Sequence, residues 1–319
     1  MESLENIYDT IIIGSGPAGL GAAIYALRFN MKVLVIGREF GGLITTTHIV
    51  ENYPGFPSIS GYDLMQQFKA HCASLNAEIV EDEVMDIRFE NGIFRLTCDF
   101  NEYFGKSIIY ATGGKHRKLG VPGEDQYSGR GLSYCATCDG PLFKGKEVAV
   151  VGGSDSAAKE ALFLSEHASK VYIIYRRQEI HPEPINKRRV EANPKIEIIP
   201  NTEITEIRGG DFVTSVVFQD GTQFPVEGVF VEIGEDPMSD LAKRLGVETN
   251  ENGEILIDKA SQTNIPGFFA AGDVTSQIYK QAITGVAEGV TAAYSAYTYI
   301  NEGKCEESSP ACTDYEIEE

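Results

Sequence analysis

Short apolar runs, each closed by a glycine-rich turn and followed by a helical period, occur twice along the chain. Residues 9–13 read as a buried parallel strand, with a helix predicted over 20–29 and a second strand over 32–36. The same order returns at 147–151, followed by a helix through His167 and a strand over 170–175. Between the two lies a helix over 61–75 with Leu64, Met65, Phe68, Cys72 and Leu75 on one face, which makes Cys72 a core residue. Residues 94–100 alternate Phe94, Leu96, Cys98 and Phe100 toward one side, as a half-buried strand does, so Cys98 is read as core too. A strand over 107–113 ends in Ala111-Thr112-Gly113. Further on, the pattern predicts a strand over 226–233, a short helix over 242–246 ended by Gly246, a short strand ending in Gly272-Asp273, and a helix over 281–300. Strand, turn, helix and strand in duplicate define an α/β protein with two Rossmann-like dinucleotide-binding domains. Turn signals at Pro122-Gly123 and a polar stretch over 249–253 place the boundaries, giving segments 1–116, 117–248 and 249–300 and an acidic tail over 301–319.

The turns themselves carry chemistry. Gly14-Ser15-Gly16-Pro17-Ala18-Gly19 is G-x-G-x-x-G between a strand and a helix, where glycines let the backbone approach a pyrophosphate that the helix amides face. The strand over 32–36 runs into Gly37-Arg38 where a ribose-binding acid is expected, which argues against simple NAD binding at this turn. The second turn, Gly152-Gly153-Ser154-Asp155-Ser156-Ala157, has Ser154 in the place of the middle glycine. The strand after it ends in Arg176-Arg177, a pair that suits a ribose bearing a 2′-phosphate, so NADPH is preferred over NADH.

Charge narrows the partners. Of the 319 residues, 27 are Lys or Arg and 47 are Asp or Glu, and a net charge of −20 repels phosphate backbones and anionic lipid. Nucleic acid and membrane are therefore not expected partners. The first residues are acidic where a secretory signal is basic, so a cytoplasmic location is expected. Six cysteines in a reducing compartment are thiols or catalytic pairs rather than staples. Cys135 and Cys138 form C-x-x-C between the two turns, a spacing that suits a small reducible disulfide ring. Half of a zinc site is the other reading, but no second C-x-x-C or C-x-x-H supplies the remaining ligands, and no metal is expected. Cys305 and Cys312 are read as exposed tail thiols rather than a relay.

Over roughly residues 7–300 the chain resembles the low-molecular-weight thioredoxin reductases. The residues that carry the likeness are Gly14 to Gly19, Gly41-Gly42 with Thr45-Thr46-Thr47, Glu51-Asn52-Tyr53-Pro54-Gly55, Cys135 to Gly140, Arg176-Arg177, and Gly272-Asp273 followed by Gln281-Ala282-Ile283-Thr284. The resemblance implies a discontinuous FAD domain built from both chain ends, with an NADPH domain inserted. FAD would be held by Gly14 to Gly19, Gly37, Arg38, Gly41, Gly42, Leu43, Asn52, Ala111, Thr112, Gly113, Gly272, Asp273, Gln281, Ala282 and Ile283. NADPH would be held by the turn Gly152 to Ala157 with Arg176, Arg177 and His181. It further implies that Cys138 is the sulfur nearer the flavin, that Cys135 attacks thioredoxin, and that Asp139 handles the proton.

A homodimer is implied as well, and so is rotation of the inserted domain on connections near 114–118 and 248–253. Three residues depart from the family pattern: Leu43 replaces a glutamine, Ser154 a glycine, and His181 an arginine at the 2′-phosphate. Two other functions share these parts. One is an FAD-dependent dithiol oxidase, or a disulfide reductase with another donor, which Arg176-Arg177 disfavour; the other is a redox-sensing flavoprotein. A ferredoxin-NADP reductase relative shares the two-domain plan but not the cysteine pair.

Overall fold

The computed structural model describes residues 7–302. The expectations for Cys305, Cys312 and the rest of the tail from residue 303 lie outside the described residues. The chain divides into two units: one is formed by the chain up to Thr45, Glu51–Gly114 and the chain from Pro237, the other by Thr46–Val50 and Lys115–Asp236.

The first unit opens with β1 (Ile7–Ile13), α1 (Pro17–Arg28) and β2 (Val33–Gly37). Proline at the first helical position brings α1 in three residues ahead of the expected start, because it lacks the amide that a first turn leaves unpaired. Then follow α2 (Gly61–Ser74), capped by Ser60 accepting from Asp63 N, and β3 (Glu78–Glu81), β4 (Val84–Glu90), β5 (Ile93–Cys98) and β6 (Glu102–Tyr110). Phe94, Leu96 and Cys98 are buried as expected, but β5 ends at Cys98 and Phe100 is 80% exposed in the turn before β6. The alternation that placed Phe100 in the core stops where the strand stops.

The second unit begins with β7 (Gly114–His116), α3 (Glu124–Tyr127), β8 (Leu132–Ser133) and the one-turn α4 (Ala136–Asp139). It continues through β9 (Glu147–Val151), α5 (Asp155–His167), β10 (Lys170–Ile174), α6 (Pro184–Ala192) and β11 (Ile196–Ile199). A meander of β12 (Ile204–Gly209), β13 (Val213–Phe218) and β14 (Gln223–Pro225) precedes β15 (Gly228–Val231) and β16 (Glu235–Pro237). Strands β16 and β7 pair, so the two chain crossings run side by side.

The return crossing is therefore at Asp236–Pro237, twelve residues before the expected 249. The physical reason is α7 (Asp240–Leu245): Ala242 and Val247 lie in the core with Tyr8, Ile11 and Phe94 of the first unit, and Arg244 donates to Met85 O at 2.9 Å. The polar stretch over 249–253 is a surface turn within that unit, closed by Gly253 N donating to Asn250 O. Finally β17 (Phe268–Ala270) and α8 (Ala282–Glu302) complete the first unit.

In the first unit the strands lie in the order β3-β2-β1-β6-β5-β4, with β17 parallel to the far end of β6. Successive residues of β1 face opposite sides: Ile12 packs with Leu20, Met65 and Ala292 of the helical face, whereas Ile11 and Ile13 pack with Phe94, Leu96 and Phe268. The second unit has the parallel order β11-β10-β9-β15-β8, with α5 on one face and the meander on the other. All strands that precede a glycine turn thus end at the same edge of their sheet, the edge where open α/β sheets bind ligands.

Helices α1 and α8 touch backbone to backbone. A Cβ on Gly289 would lie 2.1 Å from Ala18 O and 3.1 Å from Ala22 N, and neither group can move without shifting α1. Alanine ordinarily stabilises a helix interior by nearly 1 kcal/mol over glycine, so the sign here depends on the collision. Gly289→Ala is expected to lower stability by about 1–3 kcal/mol, read from urea unfolding; a midpoint at or above that of the parent would contradict this packing.

Candidate active site

The first turn is built by exclusion. Gly14 adopts φ +115, and a Cβ there would sit 2.1 Å from Ala111 O at the end of β6. A Cβ on Gly19 would meet Gly14 O at 1.9 Å, so the turn and the helix close on one another. Gly16 caps α1 without any side-chain acceptor for the first amides, which leaves those N–H groups to face a pyrophosphate. The residues expected to join this site converge in the same unit. A Cβ on Gly272 (φ +82) would lie 2.9 Å from that of Ala18, one on Gly42 3.4 Å from the Gly16 Cα, and Gly41 N donates to Ser15 O at 3.0 Å. The cradle fits an adenine dinucleotide because side chains are absent wherever backbone must approach it.

The missing acid after β2 has a steric cause. A Cβ on Gly37 would be 2.2 Å from Ser15 Oγ, and that hydroxyl is fixed by donating to Glu39 O at 2.9 Å. No side chain fits at position 37. Arg38 beside it is exposed and pairs with Glu83 at 3.4 Å. Leu43 opens the 3-10 turn Leu43–Thr46. Thr112 Oγ1 donates to Met238 O at 2.8 Å, and Gly113 (φ +66) accepts from Met238 N, so Ala111-Thr112-Gly113 is tied to the returning chain.

Asp273 follows Gly272, and burial raises its carboxyl pKa while nearby Lys280 opposes the rise. Lys280 Nζ donates to Asp273 O at 2.9 Å and pairs with Glu254. Asn52 Nδ2 donates to Gln281 Oε1 at 2.9 Å, bringing together two residues 229 apart in the chain. Gln281 immediately precedes α8, so the amides of Ala282 and Ile283 belong to the first turn of a 21-residue helix. Glu288 was not singled out by the sequence reading. Its Oε2 accepts from Gly272 N at 2.8 Å and Thr275 Oγ1 at 3.1 Å, and burial raises its pKa. Only the helical offset of Glu288 from Gln281, on the face that meets the Gly-Asp turn, could have suggested it.

In the second unit Gly152 (φ +150) repeats the device of Gly14, since its Cβ would lie 2.1 Å from Glu232 O. Tyr175 covers Gly153: a Cβ there would be 2.5 Å from the ring. The Tyr175 hydroxyl lies 3.1 Å from His181 Nδ1, and His181 N donates to Gly153 O at 2.7 Å, which fixes His181 beside the turn. Arg176 and Arg177 are exposed just after β10. Ser154 caps α5, and Ser156 and Ala157 lie in its first turn. Asp155 is engaged elsewhere: its carboxylate accepts from Glu183 N and Asn186 Nδ2, each at 2.9 Å, and pairs with Lys159 at 2.8 Å. Burial pushes its pKa up, but these bonds outweigh it and hold it below the usual carboxylate range. Its side chain fastens α6, leaving the backbone of the turn for a ligand.

Cys135 and Cys138 are joined by a disulfide with S–S 2.08 Å and Cα–Cα 5.3 Å. Cys135 caps α4, where its sulfur accepts from Cys138 N at 3.1 Å, and Cys135 N is held by Ser133 Oγ at 3.0 Å. Cys138 is exposed, Cys135 is half-buried, and Asp139 ends the α4 turn. The preceding Tyr134 donates to Glu124 Oε1 at 2.7 Å, and Glu124 also accepts from Leu119 N and Gly120 N. Thus the disulfide sits on one short turn anchored from both sides. No helix among the described residues is long and apolar enough to cross a membrane.

A disulfide in a unit that carries one dinucleotide turn, joined to a unit that carries another, defines a flavin-type disulfide oxidoreductase. Residues 8–289 match the family described as pyridine nucleotide-disulphide oxidoreductase. A thioredoxin reductase of Listeria innocua is 41% identical over 311 residues, covering 95% of this chain and 97% of its own. The crystal structure of Lactococcus lactis thioredoxin reductase superposes with a TM-score of 0.90 at 39% identity, covering 92% of this chain and 99% of its own. The crystal structure of T. acidophilum thioredoxin reductase superposes with a TM-score of 0.88 at 38% identity, covering 92% of this chain and 98% of its own. The chain belongs to the thioredoxin reductase family of pyridine nucleotide-disulphide oxidoreductases.

Burial separates the other two described cysteines from this chemistry. It pushes the Cys72 thiol up to about 11 and, with Asp82 and Asp99 nearby, the Cys98 thiol up to about 12. After reduction and removal of excess dithiol, iodoacetamide at neutral pH is expected to label Cys135 and Cys138 and to leave Cys72 and Cys98 unlabelled over the same time. Peptide mass spectrometry checks this; equal labelling at Cys72 would overturn it.

Proposed function

We propose that this chain is a thioredoxin-disulfide reductase that takes electrons from NADPH through FAD and the Cys135–Cys138 disulfide. The observation that carries the reading is the closed disulfide on α4, in the unit whose second glycine turn is followed by Arg176 and Arg177. When bound, the two cofactors supply hydride transfer and delivery of an electron pair to the disulfide. Gly14 to Gly19, Gly41 to Leu43, Asn52, Ala111 to Gly113, Gly272, Asp273 and Gln281 to Ile283 hold FAD, with Gly37 lying against Ser15 and Arg38 at its margin. The backbone of Gly152 to Ala157 holds the NADPH pyrophosphate, and Arg176, Arg177 and His181 hold its 2′-phosphate. Cys138 would take up the electron pair that a bound flavin supplies, Cys135 attacks thioredoxin as the thiolate, and Asp139 moves the proton.

NADPH is favoured over another donor because Arg176 and Arg177 are exposed at the end of β10 with His181 fixed beside the turn. The deciding experiment follows NADPH-dependent reduction of thioredoxin disulfide by the purified flavoprotein. Cys135→Ser and Cys138→Ser are each expected to lower turnover at least about a hundredfold while the flavin stays bound. Near-parental turnover in either variant would exclude this route, and turnover with NADH but not NADPH would exclude the donor.

A homodimer and a cytoplasmic location complete the proposal. Tyr25, Tyr294 and Tyr297 are 42%, 59% and 37% exposed on neighbouring faces of α1 and α8, with Tyr297 stacked on Phe29 at 5.1 Å. Such an aromatic face suits a subunit interface. Light scattering is expected to give twice the mass of the 34.9 kDa chain, and a single-chain mass would refute it.

A further inference from the structure

Two carboxyl groups lie against the turn that holds the disulfide. Glu160, in the first half of α5, accepts from Ala136 N with Oε1 at 3.0 Å, and that amide is bonded directly to the Cys135 carbonyl carbon. Its other oxygen, Oε2, is sealed from solvent and receives no nitrogen or hydroxyl donor. The carboxyl of Glu232, the residue after β15, shares a side-chain hydrogen bond with that of Glu160. Two ionised carboxylates cannot share such a contact, whereas a protonated Glu232 supplies the hydrogen that Oε2 lacks. We propose that Glu160 and Glu232 hold one proton between them, and that this pair positions the Cys135–Cys138 turn and couples reduction of the disulfide to proton binding. This deepens the reductase reading and rests on it.

The surrounding charges agree. Burial raises the pKa of both groups, and the Glu160 charge raises Glu232 further, as does Glu235. Of the nearby cations, Lys159 is committed to Asp155 at 2.8 Å and Arg117 to Asp236 at 2.9 Å. On the α4 side stand Asp139 and the two sulfurs. Reduction consumes two electrons and one proton to give one thiol and one thiolate, and both electrons come from the reduced donor of the proposed reaction. The new thiolate lies close to the pair and raises its proton affinity. Between the pKa of the pair in the disulfide state and its higher value in the dithiol state, each reduction takes up one further proton, drawn from solvent. The dithiol therefore loses ground as pH rises through that window, by up to a factor of ten per pH unit beyond the slope of the thiols themselves.

The test uses the holoprotein in buffers of reduced and oxidised dithiothreitol, with the dithiol fraction trapped by alkylation across neutral to alkaline pH. Neither NADPH nor thioredoxin takes part, so a failure of the donor or substrate assignment leaves the measurement intact. Glu232→Gln keeps a donor for Glu160 Oε2 but cannot titrate. The ratio of the parent's dithiol-to-disulfide constant to that of Glu232→Gln is expected to fall about three- to tenfold as pH rises. A pH-independent ratio would overturn the proposal. Redox-difference infrared spectra of the parent protein give a second measure that needs no variant: the protonated-carboxyl band is expected to shift on reduction, and its absence would likewise overturn the proposal.

Discussion

Both units depend on one steric contact. At the end of the first strand of each, a glycine with positive φ presses against the carbonyl of the neighbouring strand: Gly14 against Ala111 O and Gly152 against Glu232 O, each with 2.1 Å left for a Cβ. Any side chain would force the turn away from the sheet edge, and the helix that follows would lose its aim. From this contact come the positions of α1 and α5, the amides at their starts that no side chain caps, and the placement of Ala111 and Glu232 beside the two glycine turns. Gly19 and Gly289 extend the principle into the packing of α1 on its neighbours.

Buried carboxylates divide by how their oxygens are satisfied. Asp155 receives three donors and stays ionised, which suits a fastening between α5 and α6. Glu288 receives the Gly272 amide and the Thr275 hydroxyl and stiffens the turn that presents Asp273. Glu160 receives only the Ala136 amide from a conventional donor, and its carboxyl is paired with that of Glu232. The incomplete case is the one beside the redox-active cysteines, where a movable proton is of use.

Much of this was legible in the chain because the signals were local. The strand over 147–151 is observed with those bounds, the helix of Cys72 differs by one residue, and the cysteine pair closes as its spacing allows. Periodicity failed where an element stopped, as at Phe100, and where a polar stretch looked like a linker although α7 before it already belonged to the first unit. Gly37 reads in sequence as a missing acid, but in the fold it is the residue that makes room for Ser15.

The sequence by itself determined the α/β class, the two nucleotide turns, the redox pair and the assignment of Cys72 and Cys98 to the core, since each is written in residues close together in the chain. Tertiary structure alone decided which distant groups meet. Asn52 reaches Gln281, Glu288 reaches Gly272, and Glu160 meets both Ala136 and Glu232. No spacing rule encodes these contacts, because they depend on which sheet edges and helix faces the packed cores bring together.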